Sequence, residues 1–243
     1  MQKIFSILFL AVASLFLAGC SGGGNANSII KKSIAFYGMD ELDGKTIEFD
    51  FREKHFTIKF NNGDFFYEST FKNDSMGWVK DQLTNRGFVR EQNGLVVPLS
   101  KKDSIKYAEA LNSVVYFAFL PLKLKDDAVE AKFLRTVQVK GKEYNQIEVG
   151  FEASNGGSHH DDVFYFWFDA MDSSMDYFAY AEGGNRFRAI DGLINSKDLY
   201  LQNYINLENA NNEKKELKDY HILFEQDKLK TLSHITLQNL SVK

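Results

Sequence analysis

Apolar and polar residues alternate with a period of two over most of the chain, the signature of strands with one solvated face. The period changes once for long, at residues 100–124 (SKKDSIKYAEALNSVVYFAFLPLKL). There Ile105, Ala108, Asn112, Val115 and Phe119 fall at helical spacing, and Leu111 widens their face. Ser100 is placed to cap the start, because its hydroxyl can accept from a backbone N–H two or three residues on. Residues 114–120 are all apolar, which predicts burial almost all round, and Pro121 disfavours helical geometry at Leu120. Two readings follow: a core helix packed on a sheet, or a lid over a sheet curled around an apolar cavity.

Before this helix, residues 27–38 predict a short amphipathic helix with Ile30, Ile34 and Tyr37 on one face and Gly38 as its stop. Ile47, Phe49 and Phe51 then alternate with Glu48, Asp50 and Arg52, and Phe56, Ile58 and Phe60 repeat the pattern. Asn61-Asn62-Gly63 reads as a hairpin turn. Further turns at 74–77, 85–87 and 93–94 punctuate strands around Trp78, Phe88 and Val96. Six strands so closely joined predict an antiparallel meander, since nothing between them has room for a crossover helix.

After the central helix the same reading predicts a second short helix near 126–133 and strands at 135–140 and 143–152. An aromatic pair follows at 162–169 and 175–181, then strands at 185–190 and 200–207. Residues 208–218 (ENANNEKKELK) predict an exposed loop, and strands at 221–225 and 235–242 close the sheet. Within 162–169, Val163, Tyr165 and Trp167 take one face and Phe164, Phe166 and Phe168 the other, so that strand is expected to be covered on both sides. A twisted sheet of more than about ten strands curls, splits or flattens, and curling leaves a concave face for helices to fill. The expected fold is therefore mainly β (α+β): a large curved antiparallel sheet, or incomplete β-barrel, with helices covering the concave face.

The first residues change the picture by fixing a compartment. Lys3 precedes an apolar or small run from Ile4 to Leu17, too short for a comfortable bilayer span and suited to a secretory signal. Leu17-Ala18-Gly19-Cys20 matches a lipoprotein lipobox, so 1–19 is expected to be a signal peptide and Cys20 the acylated first residue. Residues 20–28 then form a flexible Gly-rich tether, and 29–243 a single domain. Acyl chains on Cys20 would hold the protein on a membrane. Ser21 in the second mature position favours the outer membrane, facing the periplasm. Cys20 is the only cysteine, so no internal disulfide is expected. A net charge of −4 without a basic stripe makes nucleic acid a poor partner, and a monomer is expected. Twenty-two Phe and eleven Tyr against two Pro indicate a β-rich protein with a large aromatic interior.

Candidate chemistry is sparse. Residues 158–162 (SHHDD) offer His159, His160, Asp161 and Asp162 as possible metal ligands. Adjacent histidines in a strand point to opposite faces, so a site there needs an irregular loop, and a solvated loop without metal is the expectation. Ser104 and Ser113 lack a Gly-x-Ser-x-Gly elbow, and no phosphate-binding glycine fingerprint occurs. No cofactor and no enzymatic activity is expected. Arg52, Arg186 and Arg188 suit an anionic head group if they face a cavity mouth, and otherwise pair with strand carboxylates. Tyr116, Phe117, Trp167, Tyr177 and Tyr180 are the expected cavity lining, with Arg52 or Arg188 at its polar end.

The run from Asn112 through Ser113, Val114, Val115, Tyr116, Phe117, Ala118, Phe119 and Leu120 to Pro121, followed by Leu124 and Asp127-Ala128-Val129, resembles the central signature of a family of Gram-negative lipoproteins of unknown function. Asn85-Arg86-Gly87-Phe88, Asn93-Gly94, Asp176-Tyr177 and Arg186-Phe187-Arg188 resemble its other recurring segments. More remotely, the layout is similar to lipoprotein carriers and receptors of the LolA/LolB type. That resemblance implies a half-barrel with helices plugging an apolar cavity for acyl chains, and it carries over no catalytic residue. The leading expectation is a membrane-anchored lipoprotein that binds or carries an acyl chain, lipid or lipoprotein. A structural or interaction lipoprotein of the cell envelope with a filled core is the alternative. A metal-dependent enzyme using the SHHDD loop comes third.

Overall fold

A computed structural model describes residues 25–152, 162–181 and 184–243. Helix α1 (Ala26–Phe36) starts where the Asn25 side chain accepts from the Ser28 amide at 3.3 Å, and it buries Ala26, Ile29, Ile30, Ser33 and Ile34. Those positions are three and four apart, one continuous stripe. The helix ends at Gly38, whose φ of +64 suits glycine and whose missing Cβ leaves room for the Asp198 carbonyl oxygen, which a Cβ would meet at 1.9 Å.

The first sheet is a meander of β1 (Thr46–Phe51), β2 (Lys54–Asn61), β3 (Asp64–Asn73), β4 (Gly77–Thr84), β5 (Gly87–Gln92) and the two-residue β6 (Leu95–Val96). Its alternation is the one the sequence predicts. Ile47 and Phe49 of β1 face Ile58 and Phe56 of β2, and the Phe49 and Phe56 rings stack with centroids 5.2 Å apart. Asn62 and Gly63 both take positive φ, as a hairpin turn of this type requires.

The second sheet holds β7 (Val129–Val139), β8 (Lys142–Phe151), β9 (Phe164–Asp169), β10 (Met175–Tyr180), β11 (Arg186–Ser196), β12 (Leu199–Glu208) and β13 (Lys230–Ile235), each beside the next. Strand β14 (Leu237–Val242) crosses back and pairs with β1. Two seven-stranded antiparallel sheets thus meet around Thr236, with free edges at β6 and β7, and they are not closed into a barrel. The seam is tied by side chains: Asn203 accepts from the Leu237 amide at 2.8 Å and Ser196 from the Val242 amide at 3.3 Å.

Helix α2 (Lys101–Ala118) lies against β3, β4 and β5. The Ser100 hydroxyl caps it, accepting from the Asp103 amide at 3.1 Å. Such a cap is worth about 1 kcal/mol. Burial of Leu111, Val115 and the following Phe119, at roughly 1.5–3 kcal/mol each, outweighs it, so packing holds this helix in place. Two details differ from the sequence pattern. Ile105 is 48% exposed, because the first half of the helix rides outside the core. Val114, Tyr116 and Phe117 are only partly buried, because the helix does not fill the concave space beside them.

Three further expectations are corrected. Residues 126–133 are not a helix: a 3-10 turn, Leu122–Lys125, leads straight into β7, where Val129, Ala131 and Phe133 alternate toward the core with period two. Residues 221–225 are not a strand but belong to α3 (Tyr220–Glu225), which turns Tyr220 and Leu223 onto the outer face of the second sheet. The closing strand is interrupted at Thr236, because β13 and β14 belong to different sheets.

Strand β9 is covered on both faces, as its sequence predicts. On the inner face Phe164, Phe166 and Phe168 join the main core with Met175, Phe178 and Tyr180. On the outer face Trp167, Ala179, Phe187 and Ala189 pack under α3 in a second core with Tyr144, Tyr220 and Leu223.

Candidate ligand-binding hollows beneath the central helix

Two hollows flank α2 on the concave side. The smaller, of about 240 Å3, lies between Phe117 and Ala118 of the helix and the seam of the sheets, where Ile235 and Leu237 supply apolar wall. The larger, of about 730 Å3, lies between Tyr107, Ala110, Leu111 and Val114 of α2 and strands β1 to β5. Phe51, Arg52 and Val114 line both, so the two spaces abut at the β1–β2 turn. Ligand sites span roughly 300–1,000 Å3, a range that includes the larger hollow and excludes the smaller by itself.

Most polar groups of the smaller hollow come from β11 and β12, with Arg52, Ser113 and Ser233 beside them. Arg188 donates from Nη2 to the Tyr180 hydroxyl at 2.6 Å, and its guanidinium carbon lies 4.3 Å from the Phe117 ring centroid. Gln202 donates to the Met175 carbonyl at 2.7 Å and to the Tyr37 hydroxyl, and its own oxygen accepts from Tyr204. Burial pushes the Tyr37 phenol well above its ordinary pKa, so it stays neutral in this network. Asn206, only 8% exposed, has a buried Oδ1 that accepts no hydrogen bond among the described residues.

The larger hollow contains a buried ion pair. Arg90 donates from Nε to one Asp81 oxygen at 2.6 Å and from Nη2 to the other at 2.7 Å, with both side chains about 5% exposed. The guanidinium carbon sits 3.5 Å from the Tyr107 ring centroid, a stacked geometry that binds the pair to α2. Near the mouth, the Lys54 ammonium lies 4.0 Å from the Phe71 ring centroid. Burial, reinforced by the Arg90 and Arg52 charges and opposed by Asp81, holds the Lys54 pKa below its ordinary value. Arg52, exposed and left-handed at φ +55, stands on the turn beside it.

Of the residues expected to line a cavity, Phe117, Arg52 and Arg188 line the smaller hollow. Tyr180 backs it through its bond to Arg188. Tyr116 lies beside them, edge-on to Phe117 with centroids 5.6 Å apart, and its hydroxyl is buried without a hydrogen-bond partner among the described residues. Trp167 and Tyr177 are not brought into this group. They are in register across β9 and β10 and point to the outer face, packed on Phe187 at 5.5 and 5.6 Å. Arg186, at the start of β11, pairs with Glu208 at 3.7 Å.

Sequence reasoning missed Asp81, Arg90, Lys54, Gln202 and Asn206. A signal for the ion pair existed: a two-residue turn at 85–86 sets Asp81 opposite Arg90 in register. Cys20, His159, His160 and Asp161 lie outside the described residues, and Asp162 is partly buried. Among the described residues no cluster of three or more His, Cys, Asp or Glu could hold a metal ion. None of the helices there is long and apolar enough to cross a membrane.

A family model described as a family of unknown function, DUF6503, matches residues 2–236. No curated protein matches the chain. Among solved structures, a LolA superfamily protein from Nitrosomonas europaea is 8% identical, covering 90% of this chain and 92% of its own, with a TM-score of 0.48. A DUF1329 family protein from Desulfovibrio piger is 10% identical over 88% of this chain and 92% of its own, with a TM-score of 0.49. The lipoprotein LppX from Mycobacterium tuberculosis is 11% identical over 63% of this chain and 86% of its own, with a TM-score of 0.29. At these identities and scores the likenesses carry no argument about a ligand.

Proposed function

The chain belongs to the DUF6503 family of unknown function, and from that premise we propose that it is a lipid-anchored envelope protein that binds an apolar chain beneath α2. One observation carries the reading: a hollow of about 730 Å3 lies under a half-buried helix in an otherwise densely aromatic core, and it abuts a second hollow at Val114. A space of this size between an apolar helix face and Phe51, Phe56 and Phe71 suits burial of an acyl chain, which binds through the apolar area it loses to water. Catalysis is not part of this function.

The anchor belongs to the same proposal. Acylated Cys20 keeps the hollow beside a membrane of the cell envelope, where lipids are the available ligands. Cys20→Ser is expected to leave an unprocessed precursor without acyl label, and normal maturation of that variant would remove the anchor from the account.

Native mass spectrometry of the purified protein tests the binding itself. The expected spectrum shows, beside the bare chain, a species heavier by one lipid that is lost on collisional activation. A spectrum of bare chain alone, together with no uptake of a fluorescent fatty acid, would leave a structural lipoprotein with an unused interior.

A further inference from the structure

We infer that the ligand is an anionic amphiphile whose carboxylate or phosphate head group is held at the mouth of the larger hollow by Arg52 and Lys54; this rests on the reading that the hollow takes an apolar chain. The charge balance of the lining is the first argument. The chain as a whole carries −4, yet this hollow is lined by Arg52, Lys54, Lys72 and Arg90 against only Glu53 and Asp81. Asp81 is spent on Arg90 through two short bonds, so the interior carboxylate and the interior guanidinium cancel. Arg52, Lys54 and Lys72 make no ion pair within 4 Å among the described residues, and Glu53 points from the exposed turn without one either.

The second argument is where these cations stand. Arg52 lines both hollows and Lys54 the larger one, so an acyl chain lying along Val114 and Phe51 would end beside them. Lys54 is half-buried with its ammonium over Phe71, a desolvated cation whose charge is destabilised by burial and by Arg52 and Arg90. An anion placed between Arg52 and Lys54 relieves that cost, whereas a neutral ester or alcohol does not. Arg188 is not the head-group site. It is already bonded to Tyr180 and stacked on Phe117 in the wall of the smaller hollow.

The test compares a fluorophore-labelled 16-carbon fatty acid with its methyl ester, and with a lysophosphatidate of the same chain, on wild type and on the Arg52→Gln/Lys54→Gln double variant. Wild type is expected to bind the acid about tenfold more tightly than the ester, the scale of one charge-assisted contact. That preference should shrink as salt rises. The double variant should bind the acid no better than the ester while its affinity for the ester is unchanged, with a native circular dichroism spectrum. The lysophosphatidate tells a phosphate head from a carboxylate, and failure of millimolar inorganic phosphate to displace the acid shows that head and chain bind together. Equal affinity of wild type for acid and ester would overturn the head-group assignment and leave the apolar hollow standing. An equal loss of acid and ester binding in the double variant would also overturn it, since these side chains would then act as wall. Binding of no probe at all would overturn both readings.

Discussion

The second sheet has two aromatic faces that differ in how they are closed. The outer face, with Trp167, Tyr177, Ala179 and Phe187, is sealed by α3, and its buried polar groups are tied up in bonds such as Gln146 to the Lys218 carbonyl and Tyr144 to Asp176 at 2.8 Å. The inner face, with Phe164, Phe166, Phe178 and Tyr180, is covered by a helix that leans toward the other sheet and touches it mainly through Phe117, whose ring stacks on Phe178 at 5.8 Å. The outer face is thus a solid core, whereas on the inner side the neighbouring strands β11 and β12, through Arg188, Gln202, Tyr204 and Asn206, also wall a hollow. Aromatic content does not decide between core and site; the fit of the covering helix does.

That contrast can be broken from its solid side first. Trp167→Ala removes a side chain with no exposed surface and is expected to cost about 3–5 kcal/mol in urea melts. A loss below about 1 kcal/mol would mean that the outer core yields easily and the contrast is false. Adding volume sharpens the comparison. Ala179→Leu, at a fully buried outer position, should cost roughly 1–3 kcal/mol through overpacking, whereas Val114→Trp, facing both inner hollows, should cost less than about 1 kcal/mol because there is space to accept the ring. Equal losses from the two would mean that the inner space is as full as the outer.

The smallest expected effect is one of pH. Burial first, then the Arg135 charge, holds the His221 pKa below its ordinary 6.5, against the pull of Asp219 and Glu225. A base with a lowered folded-state pKa binds its proton more tightly when unfolded. Stability is therefore complete above about 6.5 and declines as pH falls toward the folded-state value. His221→Phe should flatten that decline in melts between neutral and mildly acidic pH, and an unchanged slope would assign it to other groups.

Much of this architecture was legible from residue patterns. Alternation through Ile47, Phe49, Phe56 and Ile58, with Asn62 and Gly63 between the next two strands, specifies both the faces and the turns of the meander. The cap at Ser100 and the stripe through Leu111 and Val115 specify α2. The candidate site was less legible, for a geometric reason. Tyr177 and Tyr180 are three apart in one strand, so they point to opposite faces and cannot line one cavity. With both faces of β9 and β10 apolar, periodicity does not say which one meets α2, and the irregular register between Met175 and Tyr177 shifts the alternation further. The polar residues of the hollows stayed hidden because each reads alone as an ordinary strand charge; only the pairing of β4 with β5 and of β11 with β12 brings Asp81 to Arg90 and Arg188 to Asn206. The helix at Tyr220–Glu225 was missed because its short run carries no periodicity that separates it from a strand.

The apolar hollow is tested most directly by titrating wild type and Val114→Trp with a fluorescent fatty acid, with circular dichroism recorded on both. Saturable binding to wild type and none to Val114→Trp, whose spectrum stays native, is the expected result. Saturable binding of equal affinity to both proteins, or none to wild type, would contradict it.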